Sequence, residues 1–356
     1  VDPHPATRVP VAPLDRARLV YRWDLDKTYL RTEFDTVRDL LKTAFEKPDQ
    51  KRTVPGAAAL LRELQATNPA SVFILSGSPE QMRKVLEAKL RLDGIQWDSF
   101  TLKPSLKKLL RGRFRFLKDQ VGYKLAALLG ARVELEEDLD EVLFGDDAEA
   151  DAFIYSLYSD ICAGRVAKET LVAVLERARV HEDDIPDLVR MAEDIRTYDG
   201  TRQIFIHLDR VSPVAVFNEF GSRVCPIYNY FQPACVLVEE GALDGDAALR
   251  VGAEIVIQHA FSPDALIASF MDVVRRGHVG GGAARHIIEA FESGDRARYA
   301  GAAPALEGFA RDVERRLPEL AEVEAVTHPE IDYVGLFTRD KARARAARGR
   351  ARRRNR

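Results

Sequence analysis

The sequence predicts an α/β fold built around a parallel sheet. Three observations carry that reading: short apolar runs at 19–23, 71–75 and 142–144, polar residues closing each run, and helical periodicity after each. Strand-then-helix units in succession imply right-handed crossovers, and these put the strands side by side in one direction.

In chain order, residues 1–15 read as an extended arm, rich in proline and lacking the apolar stretch of a signal peptide. Residues 19–23 form the first buried strand. Phe34, Val37, Leu40, Leu41, Ala44 and Phe45 fall near helical spacing over 33–45, and 48–53 is a polar loop. Pro55-Gly56 opens a helix through Leu60, Leu61 and Leu64 that ends near Asn68-Pro69. The strand at 71–75 runs into Ser76-Gly77-Ser78-Pro79 and a helix over 79–90. A short strand over 97–102 and a basic loop-and-helix segment over 103–118 come next. Residues 121–129 read as a helix, with Gly130 as its left-handed cap. The strand at 142–144 ends in Gly145-Asp146-Asp147-Ala148-Glu149-Ala150-Asp151, and the following helix sets Phe153, Ile154, Leu157, Tyr158 and Ile161 on one face.

Beyond Gly164, segments 169–178 and 185–195 read as helices, and 203–208, 214–217 and 235–238 as strands. Segments 246–259, 263–276, 283–291 and 306–317 read as a C-terminal set of helices. Gly280-Gly281-Gly282 lacks the Lys-Ser/Thr of a phosphate loop and reads as a helix start. His207-Leu208-Asp209 reads as a strand end that can also line the site, and Tyr228, Tyr230 and Phe231 as core packing in preference to an exposed binding patch. The chain thus divides into an arm at 1–15, an α/β core at 16–240, a helical region at 241–338 and an Arg-rich tail at 339–356.

Composition narrows the class. The chain has 356 residues, 46% hydrophobic and 31% charged, which fits a soluble globular protein with a sizeable core. Residues 339–356 hold ten Lys/Arg against one Asp, so a net charge of -3 hides a body of -12. Such a tail suits contact with a polyanion, either nucleic acid or an anionic membrane surface, or serves only to solubilise. Cys162, Cys225 and Cys235 show no CxxC spacing, which argues against a zinc site or disulfide framework and fits a reducing, cytoplasmic setting. No apolar run is long enough for a transmembrane segment.

The chemistry gathers at strand ends. In an open parallel sheet, ligands bind beyond the carboxyl ends of the strands. Asp24 and Asp26 stand there, one residue apart and facing the same way, followed by Thr28. Two acids so close need a cation, a shared proton or a chemical task. Ser76 closes the second strand, and Asp146 and Asp151 follow the third. Lys124, at a helix start, lies between them, with Lys103 as its rival. Phosphoryl transfer needs these types: a carboxylate nucleophile, a hard cation such as Mg²⁺ on oxygen ligands, and a hydroxyl and an ammonium for the phosphoryl oxygens. Plainer roles exist for each. Ser76 can cap the helix opening at Pro79, although Ser78 is better placed. Lys124 can be a solvated helix lysine. Asp147 competes with Asp151, which the spacing favours.

Asp24-Leu25-Asp26-Lys27-Thr28, Ile74-Leu75-Ser76-Gly77-Ser78, Lys124 and Gly145-Asp146-x4-Asp151 resemble, in order and strand context, the four motifs of the haloacid dehalogenase superfamily of phosphohydrolases. Thr53-Val54-Pro55-Gly56, Ser76-Gly77-Ser78-Pro79 and Phe153-Ile154-Tyr155 after the last motif are similar, more narrowly, to the catalytic domain of actin-patch-associated phosphatidate phosphatases. That family usually has a second Asp directly after the DxD, where this chain has Lys27. The resemblance implies a Rossmann-like sheet with a helical C-terminal elaboration, and an Mg²⁺-dependent phosphomonoester hydrolase. It implies that Asp24 attacks phosphorus. Asp26 then serves as acid and base and lends its carbonyl to Mg²⁺. Thr28 supports the turn, Ser76 and Lys124 bind the phosphoryl group, Asp146 binds Mg²⁺ and Asp151 positions a metal-bound water. The substrate is a phosphorylated compound of open class, with a membrane phosphatidate or a nucleic-acid end as alternatives to a soluble ester. A binding protein that kept the fold without turnover is the non-enzymatic alternative.

Overall fold

The computed structural model describes residues 14–30, 53–103, 116–135, 137–294, 296–299, 301–324 and 328–339. The expected helix at 33–45, most of the arm, most of the basic segment at 103–118 and the tail beyond Arg339 lie outside the described residues.

Six parallel strands form one sheet in the order β3-β2-β1-β4-β5-β6. They are β1 (Leu19–Asp24), β2 (Ser71–Pro79), β3 (Ser99–Lys103), β4 (Asp140–Asp146), β5 (Thr201–His207) and β6 (Val224–Ile227). Every residue of β1 and β4 is buried, as central strands covered on both faces require. Strand order reverses about β1, with β2 on one side and β4 on the other. The crevice between β1 and β4 is therefore the topological switch point where such sheets bind ligands.

Side-chain alternation sends β1 into two cores. Leu19, Tyr21 and Trp23 pack with α1 (Ala57–Ala66), α2 (Arg83–Leu92) and the later helices. The other face packs against α3 (Phe116–Val133), α4 (Asp151–Cys162), α5 (Lys168–Ala178) and α6 (Ile185–Asp194). The later helices are α7 (Phe231–Glu239), α8 (Gly245–His259), α9 (Pro263–Arg275), α10 (Gly281–Ser293) and α11 (Ala303–Arg316). Helix α8 packs on α1, α7 and α10, so the C-terminal helices share one apolar core with β1. Gly280 does cap a helix, that of α10. Among the described residues no helix is long and apolar enough to cross a membrane.

Three local expectations are overturned. Gly130 does not end a helix: α3 runs through it to Val133. A helical glycine costs about 1 kcal/mol, and the turn beyond it carries the buried Arg132, which donates to Leu139 O and Glu141. Residues 214–217 lie in a 3₁₀ segment, Val214–Phe220, that turns Phe217 and Phe220 into the core. The strand here is β6, which contains Pro226. An edge strand tolerates a residue without an N–H, and β6 is the last in the sheet. Residues 235–238 belong to α7, a helix buried from Phe231 to Val238. A short run buried on all sides has no periodicity to tell helix from strand.

Candidate active site

The last residue of β1 is Asp24. The residue before it, Trp23, pairs with Phe144 on β4, which stacks on Trp23 at 3.9 Å and on Phe205 of β5 at 5.1 Å. This ladder fixes the height of three strand ends. Beyond Asp24 the chain leaves the sheet at Leu25, whose N–H still bonds Leu75 O of β2. It then turns through Lys27, which has a left-handed φ of 59°. Two outside groups and one internal bond hold the turn. Tyr230 donates to Thr28 O at 2.6 Å, the His207 ring Nδ1 meets Lys27 O at 2.9 Å, and Thr28 donates to Asp24 Oδ2 at 3.3 Å.

The expected residues converge here. Lys124 is fully buried, and its ammonium lies 2.5 Å from Asp151, 2.7 Å from Glu149 and 2.9 Å from Asp24. Asp26 accepts from Ser76 at 2.6 Å and from Ser78 at 3.0 Å, and Ser76 in turn accepts from Ser78 N–H. The Asp146 N–H donates to Asp151, while Asp146 Oδ1 accepts from the N–H groups of Ala148 and Glu149. A side chain at Gly145 would run into Asp151 and Tyr155, so only glycine lets β4 approach α4 this closely.

Position separates two pairs of candidates. Lys124, not Lys103, lies beside Asp24; Lys103 sits over the Tyr123 ring. Asp147 turns away and accepts from Arg210 N–H and Ser212 N–H, anchoring the loop after β5. Two participants were missed. Glu149 is the third carboxylate on Lys124, and its only sequence signal is its place between Asp146 and Asp151. Ser78 was taken as a helix cap but holds Asp26 instead. His207, read as a strand end, also supports the Lys27 turn.

The electrostatics are lopsided. Burial pushes Asp24 well above the ordinary carboxylate range, against the pull of Lys124, and the neighbouring acids add to the rise. Burial likewise raises Asp146, Asp151 and Asp26. Burial alone would lower Lys124, but Asp151, Asp24 and Glu149 hold it well above the usual lysine range. One ammonium serves five acids.

An oxygen of each of Asp24, Glu149 and Asp151 lies within 4.8 Å of the others, close enough to hold a metal ion. Lys124 already contacts all three. The demand for a further cation falls on Asp146, whose Oδ2 is buried with no hydrogen-bond partner among the described residues. An all-oxygen donor set of this kind suits a hard divalent cation such as Mg²⁺.

No curated protein and no solved structure matches this chain. A family model does match, described as phosphatidate phosphatase APP1, catalytic domain, over residues 23–169. That span holds all the strand-end groups gathered around Lys124, and by it the chain is similar to the APP1 phosphatidate phosphatase catalytic domain.

Proposed function

We propose that this protein is an Mg²⁺-dependent phosphatase of the haloacid dehalogenase type, working through an aspartyl phosphate on Asp24, with phosphatidate as its favoured substrate. The observation that supports it most is the buried Asp24–Lys124 contact at the switch point, with Asp26 two residues on and held by two hydroxyls. The match to a phosphatidate phosphatase catalytic domain supports the substrate class.

An Asp24 oxygen attacks phosphorus, and the bond to the leaving alcohol oxygen breaks. Asp26 gives that oxygen a proton, then takes one from the water that attacks the acyl phosphate. The products are the alcohol, inorganic phosphate and free Asp24. Lys124 favours the ionised form of Asp24 against its burial, aims it, and binds a phosphoryl oxygen as it arrives. Ser76 and Ser78 hold Asp26 in line. Asp146, Asp24 and the Asp26 carbonyl would hold Mg²⁺, with Asp151 behind them. When bound, the ion offsets the charge of phosphate and carboxylates.

The two motif acids separate in a trapping experiment. Asp26→Asn should still be phosphorylated by an aryl phosphate, whose leaving group needs little protonation, and then stall. Turnover should drop by about 10²–10⁴-fold. Intact-mass measurement after acid quench should show a phosphate adduct on Asp26→Asn and none on Asp24→Asn. An adduct on Asp24→Asn, or full turnover of phosphatidate in EDTA, would falsify the reading.

A further inference from the structure

The carboxyl edge of the sheet carries a second feature beside the acids. Among the described residues, five large apolar side chains stand exposed, and two are on this edge: Val211 at 71% and Tyr228 at 46%, the latter overturning its expected core packing while Tyr230 and Phe231 are buried. They belong to one connected rim. His207 Nδ1 meets Lys27 O, Leu208 N–H bonds Ile227 O next to Tyr228, and Val211 N–H bonds Leu208 O.

Val211 is not there by slack. It has a φ of 55°, a left-handed conformation in which a β-branched residue is a true outlier. Asp147 imposes it, accepting from the backbone N–H groups on either side of Val211, at 2.7 Å from Arg210 and 2.9 Å from Ser212. The residue next to candidate ligand Asp146 thus fixes a loop whose effect is to push an apolar side chain into solvent. Charge accompanies it. Lys27 and Arg210 have no carboxylate partner among the described residues, against one exposed acid in the loop, Asp209.

We propose that this rim, Lys27, Arg210, Val211 and Tyr228, docks on an anionic lipid surface and holds the mouth of the site against it. The proposal rests on the phosphatidate reading above. It supplies what that reading needs, since a phosphate ester anchored in a bilayer reaches a buried nucleophile only if the site meets the headgroup plane. Apolar tips flanked by cations suit that interface.

The test measures binding apart from catalysis. In metal-free buffer, wild type and the Val211→Ser/Tyr228→Ser double variant are sedimented with phosphatidylcholine vesicles containing phosphatidylserine. At about 1 M salt exposed charges are screened within about 3 Å, so the apolar contribution dominates. The double variant should then partition about tenfold more weakly or worse, as loss of two buried side chains implies. Arg210→Gln should weaken binding at low salt alone. Both should hydrolyse p-nitrophenyl phosphate as wild type does. Val211→Trp should bind more tightly, with tryptophan emission shifting to the blue on vesicles. Equal partition of wild type and double variant, or no blue shift for Val211→Trp, overturns the proposal and leaves the rim to a protein partner. Vesicle binding as expected without phosphatidate hydrolysis rejects the substrate reading and leaves the docking surface standing.

Discussion

Arg22 and Asp24 lie two residues apart on β1, face the same helices and are both buried, yet the clusters around them are opposites. At Arg22, Glu141 receives two guanidinium bonds at 2.9 and 3.0 Å, a third from Arg132 at 3.3 Å, and the Tyr158 hydroxyl at 2.7 Å. Burial would raise Glu141, but the guanidinium of Arg22 brings it below the ordinary range. At Asp24, helices α3 and α4 supply Lys124 and Asp151 instead of Arg132 and Tyr158, and acids outnumber the one cation. The first cluster is closed on itself. The second sets five acids around one ammonium, and the Oδ2 of Asp146 has no hydrogen-bond partner among the described residues. Burial alone therefore does not separate the two; an excess of buried acids with an unpartnered carboxylate oxygen does.

The largest effect should come from opening the closed cluster. Glu141→Gln leaves Arg22 and Arg132 buried without a carboxylate and should cost about 3–5 kcal/mol in urea unfolding. Retention of full stability would mean that the pairing contributes nothing and would erase the contrast with the site.

A smaller effect should come from satisfying the open cluster. Mg²⁺ at a hundredfold excess over its dissociation constant should stabilise the fold by about 2.7 kcal/mol. In thermal melts Asp146→Asn should lose most of that gain, because it alters the carboxylate whose Oδ2 has no partner among the described residues. An equal Mg²⁺ shift in the variant would move the metal away from Asp146.

The smallest and most diagnostic effect is one of sign. Glu141 is depressed in the folded state, so its contribution is present above its unfolded value and lost as pH falls through the folded one. Asp24, Asp146 and Asp151 are raised, so the metal-free fold takes up protons. Their contribution is full below the unfolded value and declines as pH climbs through the raised ones. Metal-free melts across the acid-to-neutral range should therefore show stability falling with pH. Asp146→Asn should flatten that fall. A steeper fall in the variant would contradict the raised carboxylates.

Much of this was legible in the chain. The runs before Asp24, Ser76 and Asp146 were readable as strands because central strands of a parallel sheet are apolar throughout and short. Once strands were assigned, period-two alternation set Asp24 and Asp26 on one side. Segments without such a local signature misled. Pro226 hid β6, and the apolar run at 234–238 of α7 resembled a strand.

What the sequence determined by itself was therefore local: which residues end strands, which helices follow, and which chemical types stand at the ends. Which of those groups meet was decided by tertiary structure. The sequence favours Lys124 with Lys103 as runner-up, and the packing of α3 on the sheet beside β2 is what brings Lys124 to Asp24. Asp147 and Asp151 differ by four positions, and the bonds to Asp147 from the loop after β5 turn it outward while α4 carries Asp151 inward. Glu149, Ser78 and Val211 show no role until distant strands place Lys124, Asp26 and Asp147 beside them. The reason is that a hydrogen bond or ion pair depends on ångström-scale position, and residues far apart in sequence acquire that only when the sheet has registered its strands.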